Sequence, residues 1–358
     1  MRNKHLHIEA DSQLLAEIRR RVKAELKMDR ATFRGTFALK AVLYLGASGA
    51  FYANLFFAEG PVLFVLSYVL YGLSMLLLAF NFAHDFSHHT IFRSKRWNSL
   101  GFLGIYTLLG AHGEAWRERH VHAHHFAPNV QKYDSDLQIT NLIRIAPDMP
   151  HRWYHRFQAI YAPIAYSIYS LYWIFIKDFI LLWDKLRQRA ANPAYVLAFI
   201  GQKAFYLFYL LALPLIFASQ SAQVVLLGFL AMHLVQSVLL LFTFFMTHHV
   251  LATAYPATNE QGVIQTSWLM NQVQSSNDMH PFSRTANFIL GGFNNHIAHH
   301  LFPNINHIYY PRLSQILYEV LRAHGIQPNY TSYLGGVISH WRLLKKMSKN
   351  GADSPSFT

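Results

Sequence analysis

The sequence predicts an all-α integral membrane protein whose four transmembrane helices form two hairpins. Three observations carry this. The 358 residues are 53% hydrophobic and only 14% charged, whereas soluble domains carry roughly 25% charged residues. Four apolar runs, Phe37–Ala58, Pro61–Ala83, Ala198–Ser219 and Ala222–Met246, each reach the ~20 helical residues that cross a hydrocarbon core. Very short turns, "FFAEGP" and "ASQSAQ", join the first run to the second and the third to the fourth.

The net charge is +13, a sign that invites a nucleic-acid partner, but its distribution argues against one. Neither hairpin turn holds a Lys or Arg. The cations gather in the N-terminal segment (Arg19, Arg20, Arg21, Lys23, Lys27), in the long middle segment and near the C-terminus (Arg342, Lys345, Lys346, Lys349). That is the positive-inside pattern, which places both termini and the middle segment in the cytoplasm. Some of these charges can also meet anionic headgroups. The chain has no cysteine, so disulfides, thiolate metal sites and cysteine-ligated iron–sulfur clusters are excluded. The first 30 residues are charged, and no cleavable signal peptide is expected.

The remaining elements follow in order. Residues 1–36 are read as a cytoplasmic N-terminal segment. Its apolar positions Leu14, Leu15, Ile18, Val22 and Leu26 recur at helical spacing opposite a basic face, a pattern suited to the membrane surface or to a solvated helix. Residues 37–348 form the membrane domain. Between its hairpins, His84–Pro193 contains Leu100–Ala111, too short to span. It also contains Phe157–Trp183, rich in Tyr and Trp and interrupted by Pro163, Lys177 and Asp178. The second stretch reads as interfacial, because a single extra span would put the histidine clusters on opposite sides of the membrane. Residues 349–358 are expected to be disordered.

Three histidine clusters carry the chemistry: "HDFSHH" at 84–89, "HVHAHH" at 120–125 and "HIAHH" at 296–300. His84 and His88, His120 and His124, and His296 and His300 are each four residues apart. On an α-helix such pairs share one face and can grip one ion. His89, His125 and His299 add neighbouring ligands at another angle. Imidazole suits zinc, copper, iron or nickel. The His-Glu dipeptide of zinc proteases and the Glu-x-x-His pattern of carboxylate di-iron bundles are both missing, so a histidine-rich pair of irons fits the ligand set best. Asp85 is a candidate acceptor for fixing an imidazole tautomer. A polar helix end is the plainer reading of it.

"HDFSHH", "WRERHVHAHH" and "NNHIAHHLFP" resemble, in order and orientation, the three histidine boxes of membrane fatty acid desaturases. "APNVQKYDSDLQI" and "HLFPNINHIYYPRLSQIL" are similar to the bacterial linoleoyl-CoA desaturase-like branch, relatives of front-end desaturases. The resemblance implies four spans with a cytoplasmic helical cap, in a bacterial inner membrane. It implies two irons held by His84, His88, His89, His120, His124, His125, His296, His299 and His300, and O2-dependent desaturation of a long acyl chain on CoA or a lipid. The third box opens with His296 where front-end members usually have Gln. "WLMNQVQSS" has Asn271 where they often have His, which makes Asn271 a possible further ligand. The His-Pro-Gly-Gly motif of a fused cytochrome b5 is missing from these residues, so an external donor of ferredoxin or cytochrome b5 type is implied.

His248 and His249 end the fourth run, and one of them, His249 for preference, is a further candidate ligand. His122 faces away from its box by spacing. His151, His155, His280, His307 and His324 lack partners at ligand spacing. Arg152 and Arg156 can meet a phosphate-bearing headgroup or CoA, though a solvated basic face is the commoner explanation. Two other readings stay open. A lipid hydroxylase or carotenoid oxygenase would use the same metal chemistry. A membrane metal transporter would put its ligands near mid-membrane, where the four runs have almost none.

Overall fold

A computed structural model describes residues 4–137 and 140–349; the expected disordered tail, apart from Lys349, lies outside them. The chain divides into two compact units: one built from Arg34–Trp116 and Pro163–Leu241, the other from the N-terminal segment up to Phe33, Arg117–Ala162 and the chain from Phe242 onward.

In the unit built from Arg34–Trp116 and Pro163–Leu241, the apolar runs fold as long helices. Pro61 opens the helix Pro61–Leu78 at its first position, where a missing N–H costs nothing. That helix continues through a wide π turn, Ala79–Ala83, into His84–Ser87. Pro193–Leu207 begins at Asn192, whose side-chain oxygen accepts from Tyr195 N–H at 2.8 Å, a normal N-cap. It too passes a π turn, Phe208–Ala212, before Leu213–Phe217. Pro214 explains that irregularity, since it has no N–H to give the carbonyls one turn earlier. Tyr52 and Tyr68 supply the missing donors, their hydroxyls lying 2.7 Å from the carbonyls of Tyr209 and Leu210. Gly228 and Gly72 let Pro61–Leu78 approach Ala222–His248 closely, because a Cβ at either would collide with Tyr68 or Met232.

Among the described residues, three helices are long and apolar enough to cross a membrane: Pro61–Ser87, Pro193–Phe217 and Ala222–His248. A fourth crossing is present if Trp153–Ser167 and Tyr169–Arg187, bent by 67° at their junction, count as one broken span. The first predicted run does form a 25-residue helix, Arg30–Asn54, but it is not among the three. Arg34, Lys40 and the small residues of "LGASGA" dilute its apolar character. Lys40 is buried and donates to Asn81 Oδ1 at 2.6 Å. The two hairpin turns meet: Gln220 Nε2 donates to the carbonyls of Ala58 and Glu59 at 2.9 and 2.8 Å.

In the other unit, the N-terminal helix Glu9–Glu25 buries Leu14, Ile18 and Val22 against Leu313, Ile316, Leu317, Val320 and Leu321 of the helix Tyr310–Ala323. Its apolar stripe therefore faces protein rather than a membrane surface. Each such side chain contributes roughly 1.5–3 kcal/mol on burial. A two-residue parallel ladder pairs Asp278–Met279 with Tyr330–Thr331, a small exception to the all-helical expectation. The final helix, Tyr333–Met347, is capped by Ser332.

Candidate metal centre

The second histidine cluster does not sit on an ordinary α-helix. Glu118–His124 is a π turn, and His125 N–H donates to the His120 carbonyl, five residues back, at 3.1 Å. One turn there takes in more residues, so His124 and His125 both stay near His120 while pointing differently. His125 Nε2 lies 3.2 Å from His120 Nε2. His124 turns instead towards the end of Ala222–His248, its Nε2 3.0 Å from His248 Nε2.

The third cluster lies on a short buried helix, His296–Leu301. Asp278 fixes its start, accepting from Ile297 N–H at 2.9 Å and from the Tyr318 hydroxyl at 3.0 Å. Burial pushes the Asp278 carboxyl up to about 7, against the opposing effect of those donors. His296 Nε2 lies 2.6 Å from His248 Nε2 and 3.2 Å from His300 Nε2, and His300 Nε2 lies 3.1 Å from His248. The ligand atoms of His124, His248, His296 and His300 all stand within 4.8 Å of one another, and all four residues are buried.

The opposite edges of these rings decide what such a cluster can hold. His124 Nδ1 faces Asp134 Oδ2 at 3.0 Å, His248 Nδ1 the Ser275 carbonyl at 2.9 Å, and His300 Nδ1 the Gln272 side-chain oxygen at 3.0 Å. Carboxylate and carbonyl oxygens only accept, so in each ring Nδ1 carries the hydrogen and Nε2 presents a lone pair. Lone pairs so close together repel unless a cation lies among them. Nitrogens bound at about 2.1 Å to one ion stand roughly 3.0–3.4 Å apart, close to the spacing found. Burial also holds His296 and His300 well below the usual imidazole range, which keeps them neutral as metal ligands must be. The residues fit a transition-metal ion.

His120 and His299 stack with ring centroids 5.8 Å apart and planes 9° from parallel, and the Tyr310 hydroxyl lies 3.2 Å from His299 Nδ1. His125 stacks on His300 at 4.6 Å and meets His299 edge-on at 4.5 Å. In the other unit, His84 and His88 follow the π turn Ala79–Ala83, with ring centroids 5.1 Å apart. Asp85 is buried in the same short helix, and its carbonyl accepts from Thr90 N–H. His89 is exposed, past the helix end, with a left-handed φ of 59°.

Some expectations about individual residues need correction. Asn271 does not face the cluster: its Oδ1 lies 3.1 Å from His5 Nε2, and its Nδ2 donates to the Pro128 carbonyl and Ser275 Oγ. Its neighbour Gln272 reaches His300 instead. His249 Nδ1 meets the Tyr255 hydroxyl at 3.0 Å, so His248 is the histidine of that pair within the cluster. His122 is exposed. His151 and His155 bond the carbonyls of Ser348 and Asn141, His280 Nε2 accepts from Tyr333 N–H, the His307 carbonyl accepts from Asn287, and His324 meets Glu17.

Sequence reasoning missed Asp134, Gln272, Ser275 and Asn129. Asn129 Nδ2 reaches the carbonyls of His248, Ala254 and Ser275, while its N–H shares Asp134 Oδ2 with His124. The acids of "YDSD", with Asp134 ten residues beyond His124, were the available signal.

Residues 59–332 match a family model described as "Fatty acid desaturase". The chain is 30% identical over 319 residues to an "Acyl-lipid (8-3)-desaturase" of Physcomitrium patens, covering 86% of this chain and 66% of that protein. It is 29% identical over 320 residues to an "sn-1 linoleoyl-lipid 6-desaturase" of Synechocystis sp., covering 86% of each. An Arthrospira platensis protein with the same description is 27% identical over 344 residues, covering 93% of this chain and 92% of its own.

Proposed function

The chain belongs to the fatty acid desaturase family, and from that premise we propose that it desaturates lipid-linked long acyl chains at a histidine-held pair of irons. It is a membrane oxidoreductase acting on fatty acids. The observation that carries the metal assignment is the set of Nδ1 contacts to Asp134, Ser275 and Gln272, which leaves Nε2 lone pairs converging from His124, His248 and His300. One ion is assigned to these three with His296. The resemblance implies that His84, His88, His89, His120, His125 and His299 would supply the second.

The bound irons supply the oxidising chemistry by which O2 takes two hydrogens from the chain. The overall balance is one saturated –CH2–CH2– unit, O2, two electrons and two protons giving one –CH=CH– unit and two waters. The protein's part is to hold His248, His296 and His300 neutral by burial and to fix the tautomers of His124, His248 and His300. The electrons come from an external donor of ferredoxin or cytochrome b5 type. The lipid-linked substrate follows the names of the relatives, an acyl-lipid and a linoleoyl-lipid desaturase. The boxes and both termini face the cytoplasm of a bacterial inner membrane, a reading supported by the cation-free hairpin turns.

Expression in a host of defined lipid composition, followed by mass analysis of its fatty acids, tests this. A new species lighter by two hydrogens is expected. A species heavier by one oxygen would mean hydroxylation, and an unchanged profile in iron-loaded protein with a working donor would overturn the assignment.

A further inference from the structure

The final helix, Tyr333–Met347, is held on one side and apolar on the other. His340, Leu343, Leu344 and Met347 are buried. Its C-terminal carbonyls are clamped: Arg144 donates to those of Met347 and Lys349 at 3.0 and 3.1 Å, and Gln158 to that of Leu344 at 2.9 Å. The helix cannot rotate without breaking these bonds. Its outward stripe is Leu334, Ile338 and Trp341, which are 68%, 42% and 44% exposed. A helix facing water would carry charges at those positions.

Trp341 Nε1 donates to the Ala159 carbonyl at 3.3 Å, which joins this stripe to Trp153, Phe157 and Ile160, themselves 71%, 46% and 76% exposed. Cations border the patch. Arg156 lies over the rings of Trp153 and Phe157 at 5.8 and 4.7 Å, and Lys345 lies 3.4 Å from the centroid of Trp341. Arg152 and Arg342 are exposed beside them. Residues 149–162 and 333–349 contain no Asp or Glu.

The geometry points to a monotopic membrane contact: the face formed by Tyr333–Met347 and 153–160 lies in the headgroup region of an anionic bilayer. Apolar and indole side chains would enter the acyl boundary, while Arg152, Arg156, Arg342 and Lys345 reach outward to lipid phosphates. A protein partner is the other occupant such a patch could take. The positive border, with no Asp or Glu within residues 149–162 and 333–349, favours lipid, since protein interfaces pair both signs. This goes beyond the desaturase reading, which none of these residues supports or needs.

The cysteine-free sequence makes the test clean. The full chain is labelled with a nitroxide at Ile338→Cys, and separately at Leu334→Cys in case one variant does not fold. A control label sits at Glu319→Cys, an exposed polar position. Each is reconstituted in nanodiscs of phosphatidylcholine and phosphatidylglycerol. Collision rates with membrane-soluble O2 and a water-soluble nickel chelate give depth. The O2-to-nickel ratio should be several-fold higher at 338 and 334 than at 319. A ratio equal to the control would overturn the proposal, and so would labels shielded from both reagents, which would show a protein covering the face.

Discussion

Gln272 Oε1 accepts from His300 Nδ1 at 3.0 Å, and this one bond decides which nitrogen of His300 faces the other imidazoles. Losing such a partner typically weakens metal binding by about 10–100-fold. Gln272→Leu should do so, measured by competition with an iron chelator, whereas Gln272→Glu, which still accepts, should keep most of the affinity. Equal affinity in the Leu variant would mean that the tautomer is fixed elsewhere.

His248 and His249 are neighbours with opposite assignments. His248→Ala should lose the ion shared with His124, His296 and His300, roughly half of the bound iron. His249→Gln, which can still meet the Tyr255 hydroxyl, should retain its iron. Elemental analysis of purified protein separates the two, and a loss confined to the His249 variant would reverse the assignment.

His296 stands where front-end relatives usually have Gln. Its Nε2 makes the shortest approach in the cluster, 2.6 Å to His248. His296→Ala should lower iron occupancy and abolish turnover. His296→Gln should keep part of both, because an amide oxygen can still reach the ion. The exposed His122, changed to Ala, should behave like the parent protein.

Gln220 ties the two hairpin turns together through the carbonyls of Ala58 and Glu59. Reporter insertions at Glu59 and at Gln220 should therefore report the same side of the membrane, the outer one, and a fusion after Lys349 the inner one. Opposite signals from the two turns would break the hairpin arrangement.

Much of this could be read from the chain. Long apolar runs announce long helices whatever their surroundings, and histidines at four-residue spacing announce a metal. The failures have a common cause, which is that orientation is decided by contacts. Adjacent residues on a helix differ by about 100°, so spacing alone could not choose His248 over His249, or Gln272 over Asn271. The N-terminal helix shows the same limit. Its stripe of Leu14, Ile18 and Val22 is equally suited to lipid and to protein, and only the fold reveals that Leu313 and Leu317 cover it. Nor does a hydrophobic pattern distinguish an α turn from the π turns at Ala79–Ala83 and Glu118–His124.

The turn at Glu118–His124 is, in effect, an α-helix carrying one surplus residue. A single-residue deletion between His120 and His124, at Val121, would let the helix recover its regular ladder, and by local propensity would strengthen it. It would also swing every side chain beyond the deletion by about a quarter turn relative to the residues before it. His124 would leave Asp134 and His248 in the same movement. The irregularity thus acts as a register mark: local helix stability and the aim of the ligands are opposed here, and a length change that improves the first should destroy the second.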